Sequence, residues 1–166
     1  MGSAAADDNL AALAREVGER LRCHDLHLTT AESCTGGWVA KVITDVPGSS
    51  QWFEGGVIVY SNAAKMELLG VSKSTLDAHG AVSQEVAAEM ARGIIARAAA
   101  EVGLAVTGIA GPDGGTSAKP VGLVWLAWYR IGSAPVTYEG HFQGGRECVR
   151  RQAVAAALQG LIRLLR

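Results

Sequence analysis

The sequence predicts an α/β protein, a three-layer α/β/α sandwich around a mostly parallel mixed sheet of about five strands. Three observations carry this expectation. Short β-branched runs alternate with stretches of helical periodicity, the pattern of parallel strands joined by crossover helices. Two strand-like runs then follow one another, Val121–Tyr129 and Val136–Phe142 around a turn at Gly132–Ser133, which makes one strand antiparallel. Finally, 166 residues of which 49% are hydrophobic suffice for one domain with a full core, assigned to residues 1–166 with a loose tail over 1–7.

Each element follows from its own pattern. Leu10, Leu13, Val17 and Leu21 form an apolar stripe between charges, predicting an amphipathic helix over Asp8–Cys23. His27–Thr30 reads as a strand, Ala31–Gly37 as a strand-to-helix crossover, and Val39, Val42 and Ile43 mark a helix ending near Thr44. Val46–Pro47–Gly48–Ser49–Ser50 is a turn, and Gly55–Tyr60 is a β-prone run expected to be buried. Ser61 caps a helix that runs through Leu69 and stops at Gly70, and Ser72–Ala78 forms a shorter piece. From Ser83 a long helix is expected to reach about Val102, with Glu85 in its first turn complementing the dipole. Leu104–Thr107 is a strand that breaks into the glycine-rich Gly108–Gly115, and Arg146–Leu165 is the closing helix.

Composition narrows the function. Basic and acidic residues nearly cancel to a formal net charge of -1, so no cationic surface is available for general nucleic-acid binding, whereas a local basic cluster can still hold a small anion. Cys23, Cys34 and Cys148 are neither a disulfide framework nor a metal clip, and His24, His27, His79 and His141 are scattered, so no metal or cofactor site is nominated. No apolar run reaches membrane-spanning length and the start carries no secretion or myristoylation signal, so a cytoplasmic protein is expected. The Ala-rich helix faces and Trp52–Phe53 are candidate contact surfaces for an expected homo-oligomer.

Three marked stretches fall at strand ends, where ligands collect on such sheets: Ser33, Tyr60 and Thr107–Gly108. Ser33 is the candidate nucleophile, on a turn whose N–H groups can meet an oxyanion. Its hydroxyl needs a base, and Lys65 can serve if burial or a nearby cation lowers its pKa, with Tyr60 relaying a proton or orienting the pair. Cys34 and Thr35 compete as nucleophiles. Against this, the crossover also reads as a plain cap and tight turn, and Lys65 as a surface lysine. The Gly108–Gly115 loop and Arg146, which follows Gly144–Gly145 at the start of the last helix, can cradle a phosphate. A plain loop and a solvated arginine face account for the same residues.

Taken together, Ala31–Glu32–Ser33–Cys34–Thr35–Gly36–Gly37, Tyr60–Lys65, His79–Ser83 and Thr107–Gly115 resemble the signature blocks of the CinA C-terminal domain family. Lys119–Pro120–Val121–Gly122 and the Arg146–Arg150 pair fit it too, and the likeness runs from Leu10 to the C-terminus. The resemblance implies a nicotinamide mononucleotide deamidase that needs no metal. It implies Ser33 as nucleophile with Lys65 and Tyr60 as its activators. It further implies Glu32, Thr35, Gly36, Thr107 and Gly108 around the substrate, and Arg146 and Arg150 on its phosphate. Longer relatives carry an additional N-terminal domain, for which this chain has no room, so that domain's activity is expected to be absent. The family often has glutamate after Asn62 where this chain has Ala63, leaving Glu32 as the acid available to tune the lysine.

Overall fold

The computed structural model describes the backbone of residues 2–166 and the side chains of residues 8–166. Helix α1 (Gly2–Cys23) leads to β1 (Leu28–Glu32), α2 (Trp38–Thr44), β2 (Phe53–Ile58), α3 (Asn62–Leu69), α4 (Lys73–His79) and α5 (Gln84–Ile95). Then come β3 (Val102–Gly108), β4 (Leu123–Arg130), β5 (Val136–His141) and α6 (Arg146–Leu164). The loose tail expected over residues 1–7 lies outside the described residues except for the helical backbone from Gly2.

Sheet order is β2-β1-β3-β4-β5. β1 pairs in parallel with both β2 and β3, and β4 runs antiparallel to β3 and β5, so β4 alone opposes the others. Helices α1, α2 and α6 cover one face over a core that includes Leu28, Ile43, Leu104 and Leu158; α3 and α5 cover the other around Ala31, Met90 and Ala105. The three-layer sandwich expected from the alternation is the observed one. Among the described residues, no helix is long and apolar enough to cross a membrane.

Three expectations need correction. The β2 run is not buried: it is an edge strand whose residues alternate between half-buried and exposed, with Ile58 54% exposed. Helix α5 stops at Ile95 rather than near Val102. The alanines beyond it favour helix, yet Glu101 and Val102 both donate to His27 O, and this pairing draws the chain into the central strand early. Trp52 is no contact surface, being 1% exposed and packed so tightly on α1 that a Cβ at Gly18 would lie 2.6 Å from its ring.

The site is positioned by the parallel part of the sheet. Ser33 N donates to Val106 O at 2.9 Å and Val59 N donates to Glu32 O at 2.8 Å, so the chain leaves β1, β2 and β3 at one level. Ser61 then starts α3, its side chain accepting from Ala64 N, and Gly70 ends it in the left-handed conformation.

Candidate active site

Ser33, Tyr60, Lys65, Thr107, Gly108 and Arg146 line one cavity of about 280 Å³ at the carboxyl ends of β1, β2 and β3. Lys65 projects from α3 beneath the mouth, only 1% exposed. Its Nζ lies 3.1 Å from Ser33 Oγ and donates to Val59 O at 2.8 Å. A buried ammonium loses hydration that two neutral oxygens replace only in part, so desolvation pushes the Lys65 pKa below its ordinary value of 10.5.

Cys34 faces the same cavity but is a poor rival to Ser33. Burial raises its pKa to about 12, outweighing the pull of its own backbone N–H and of Arg150, so at neutral pH it is a thiol. Thr35 is fully buried and, among the described residues, its Oγ1 has no hydrogen-bond partner. Neither the Thr35 hydroxyl nor the Glu32 carboxylate opens onto the cavity.

Glu32 has a different task from the substrate contact expected of it. Its side chain is 1% exposed, and its two oxygens accept from Gly37 N at 3.0 Å, Val39 N at 3.1 Å and Ala40 N at 2.8 Å. These are orphan donors at the start of α2, so the carboxylate caps that helix from the preceding strand. It is therefore not free to tune Lys65 in place of the acid missing at Ala63. Glu32→Ala leaves those amides unpaired and should destabilise the protein by about 3 kcal/mol, read as a lowered urea midpoint. An unchanged midpoint would show that the cap contributes nothing.

Thr107 is likewise a brace. It is 1% exposed and its Oγ1 donates to Ala81 O at 2.8 Å, fastening the α4–α5 connection over the cavity. Gly108 fits where β3 leaves the sheet because a Cβ there would lie 2.6 Å from Val124 and 2.8 Å from Leu123 O. Arg146 spans the mouth, Nη1 donating to Gly111 O at 2.7 Å and Nη2 to the Tyr60 hydroxyl at 3.0 Å. Tyr60 is thus a rim residue, 63% exposed, whose hydroxyl meets Arg146. Gly36 and Arg150 belong to an adjoining open groove that Arg146 shares.

Asn62, Ala81, Val82 and Asp113 also line the cavity and were not singled out as site residues. All four lie inside stretches that the family resemblance marks, which is the signal that could have found them. Among the described residues, no group of three or more His, Cys, Asp or Glu side chains is arranged to hold a metal ion.

This fold and these stretches recur in known proteins. The model of the CinA C-terminal domain matches residues 10–165. A nicotinamide-nucleotide amidohydrolase PncC of Shigella flexneri is 52% identical over 155 residues, 93% of this chain and 94% of its own length. A protein of the same name from Pseudomonas putida is 54% identical over 157 residues, 95% of this chain and 98% of its own. The crystal structure of the competence/damage inducible protein CihA from Agrobacterium tumefaciens superposes with a TM-score of 0.93 at 41% identity, covering 95% of this chain and 96% of that one. Matched from its first core helix to its last, the chain belongs to the CinA C-terminal domain family.

Proposed function

We propose that this protein is a nicotinamide mononucleotide amidohydrolase, releasing ammonia and leaving nicotinate mononucleotide. The observation that carries the chemistry is the buried contact of 3.1 Å between Lys65 Nζ and Ser33 Oγ. The substrate comes from the relatives' names, which belong to proteins sharing more than half of this chain's aligned residues.

In this mechanism the neutral form of Lys65 is the reactive one, and burial favours that form by lowering the pKa of the amine. The Ser33 hydroxyl passes its proton to Lys65 Nζ as its oxygen attacks the carboxamide carbon. The carbonyl oxygen becomes an oxyanion, met by the N–H groups that follow Ser33. The Lys65 ammonium then protonates the amide nitrogen, the C–N bond breaks and ammonia leaves. Water, deprotonated by the again neutral Lys65, attacks the Ser33 ester; the Lys65 ammonium returns that proton to Ser33 Oγ as the C–O bond breaks, and the product acid loses its proton to solvent as nicotinate mononucleotide leaves. Arg146 faces the phosphate at the mouth, with the Gly108–Gly115 loop beside it, and Tyr60 holds Arg146 from the rim. No metal enters the scheme, and we add a cytoplasmic location and self-association as parts of the proposal.

A non-catalytic nucleotide-binding module would not need a desolvated lysine on a serine hydroxyl, and the cavity is built around that pair. The test is incubation with nicotinamide mononucleotide, following ammonia enzymatically and nicotinate mononucleotide by chromatography. Equal amounts of both are expected. Saturable binding without turnover would contradict the assignment, and turnover confined to another ribonucleotide amide would replace the substrate.

A further inference from the structure

Arg150 is implied by the resemblance to touch phosphate, yet its fork points into the protein. Nε donates to Cys34 O at 3.1 Å and Nη2 to Thr35 O at 2.8 Å. Its guanidinium carbon lies 5.3 Å from the centroid of the Trp38 ring, a second restraint on its plane. Gly36 lies beneath it at φ +62, where a Cβ would come within 3.3 Å of Nη2.

Peptide geometry gives this contact a consequence. In a trans peptide, N–H and C=O point in opposite directions. Holding the Cys34 carbonyl therefore turns the Thr35 N–H away from Arg150. Holding the Thr35 carbonyl likewise turns the Gly36 N–H away, and that group donates to Ser33 O at 3.0 Å. Among the described residues, no backbone carbonyl accepts from the N–H of Cys34 or Thr35. Glu32 fixes the other end of the same turn through Gly37, Val39 and Ala40. The segment after the nucleophile is thus clamped by a cation on its carbonyls and an anion on its amides.

We propose that Arg150 is a positioning residue that orients the oxyanion donors beside Ser33, and is not a ligand of the substrate phosphate. The inference rests on the amidohydrolase assignment. It is tested with Arg150→Lys and Arg150→Gln, assayed on nicotinamide mononucleotide and on nicotinamide riboside, which has no phosphate. Lysine keeps the charge a phosphate would need but cannot bridge two carbonyls with a planar fork.

Both variants should lose about a hundredfold in kcat with KM changed by less than about threefold, to the same extent on both substrates. Arg146→Gln, by contrast, should raise KM more for the nucleotide than for the riboside. If Arg150→Gln fails to fold, Arg150→Lys, which retains stem and charge, decides alone. Near-normal kcat in Arg150→Lys would overturn the inference, as would a KM increase confined to the nucleotide. An active wild type with either result loses only the role of Arg150, whereas an inactive wild type loses the amidohydrolase assignment and this inference together.

Discussion

Ser33→Ala is expected to lower ammonia release from nicotinamide mononucleotide by about a thousandfold or more, while nucleotide affinity stays within about threefold of wild type. The substitution removes one oxygen from the floor of the cavity and leaves Lys65, Arg146 and the glycine-rich loop in place. Lys65 then has no hydroxyl to activate, so the covalent step is lost while positioning and the oxyanion donors still supply residual catalysis. Calorimetric titration with the nucleotide, beside the ammonia assay, separates the two effects. Turnover near the wild-type rate would move the nucleophile to another group. Cys34 is held as a thiol by burial, and the Thr35 hydroxyl is fully buried, so neither is placed to take over.

Lys65→Met should have an effect of similar size on kcat, again about a thousandfold, because methionine fills a similar volume without a basic atom. In the wild type, the rate requires the neutral amine, so kcat/KM should fall with decreasing pH along a limb set by Lys65. Since burial moves that pKa down, the limb lies below 10.5. Stability follows with a defined sign. Between the lowered folded-state pKa and 10.5, the unfolded chain binds a proton that the folded chain does not. Folding stability contributed by this group therefore rises with pH through that window, and its penalty is greatest below it. Relative to Lys65→Met, the wild type should gain stability as pH is raised, measured by urea denaturation at several pH values. A constant difference between the two proteins would show that the amine keeps an ordinary pKa.

Much of this site could be read in the chain, because its parts are tied to local signals. Ser61 as cap and Gly70 as stop delimit a short helix directly after a β-prone run, which brings Lys65 near the end of that strand. The two successive runs after Gly115 predict the antiparallel strand, which is β4, lying between β3 and the edge strand β5. What stayed hidden depends on partners without a side-chain signature. Glu32 resembles a site acid in the sequence, yet its partners are backbone amides of Gly37, Val39 and Ala40, and backbone donors look alike at every residue. Arg150, one turn beyond Arg146, shares its helix face but reaches across to carbonyls over 100 residues earlier. The exposure of β2 follows from sheet order, which is set by long-range pairing and not by the β-propensity of its own residues.

The Ser33–Lys65 mechanism requires Lys65 to be a neutral base at the pH where the enzyme works. The direct measurement is an NMR pH titration of protein with 13C-labelled lysine, the Lys65 signal being assigned by its loss in Lys65→Met and compared with those of Lys41, Lys73 and Lys119. A Lys65 midpoint clearly below 10.5, coinciding with the acid limb of kcat/KM, is the expected result. A midpoint at or above 10.5 would leave Ser33 beside a permanent ammonium, and the Ser33–Lys65 mechanism would be wrong.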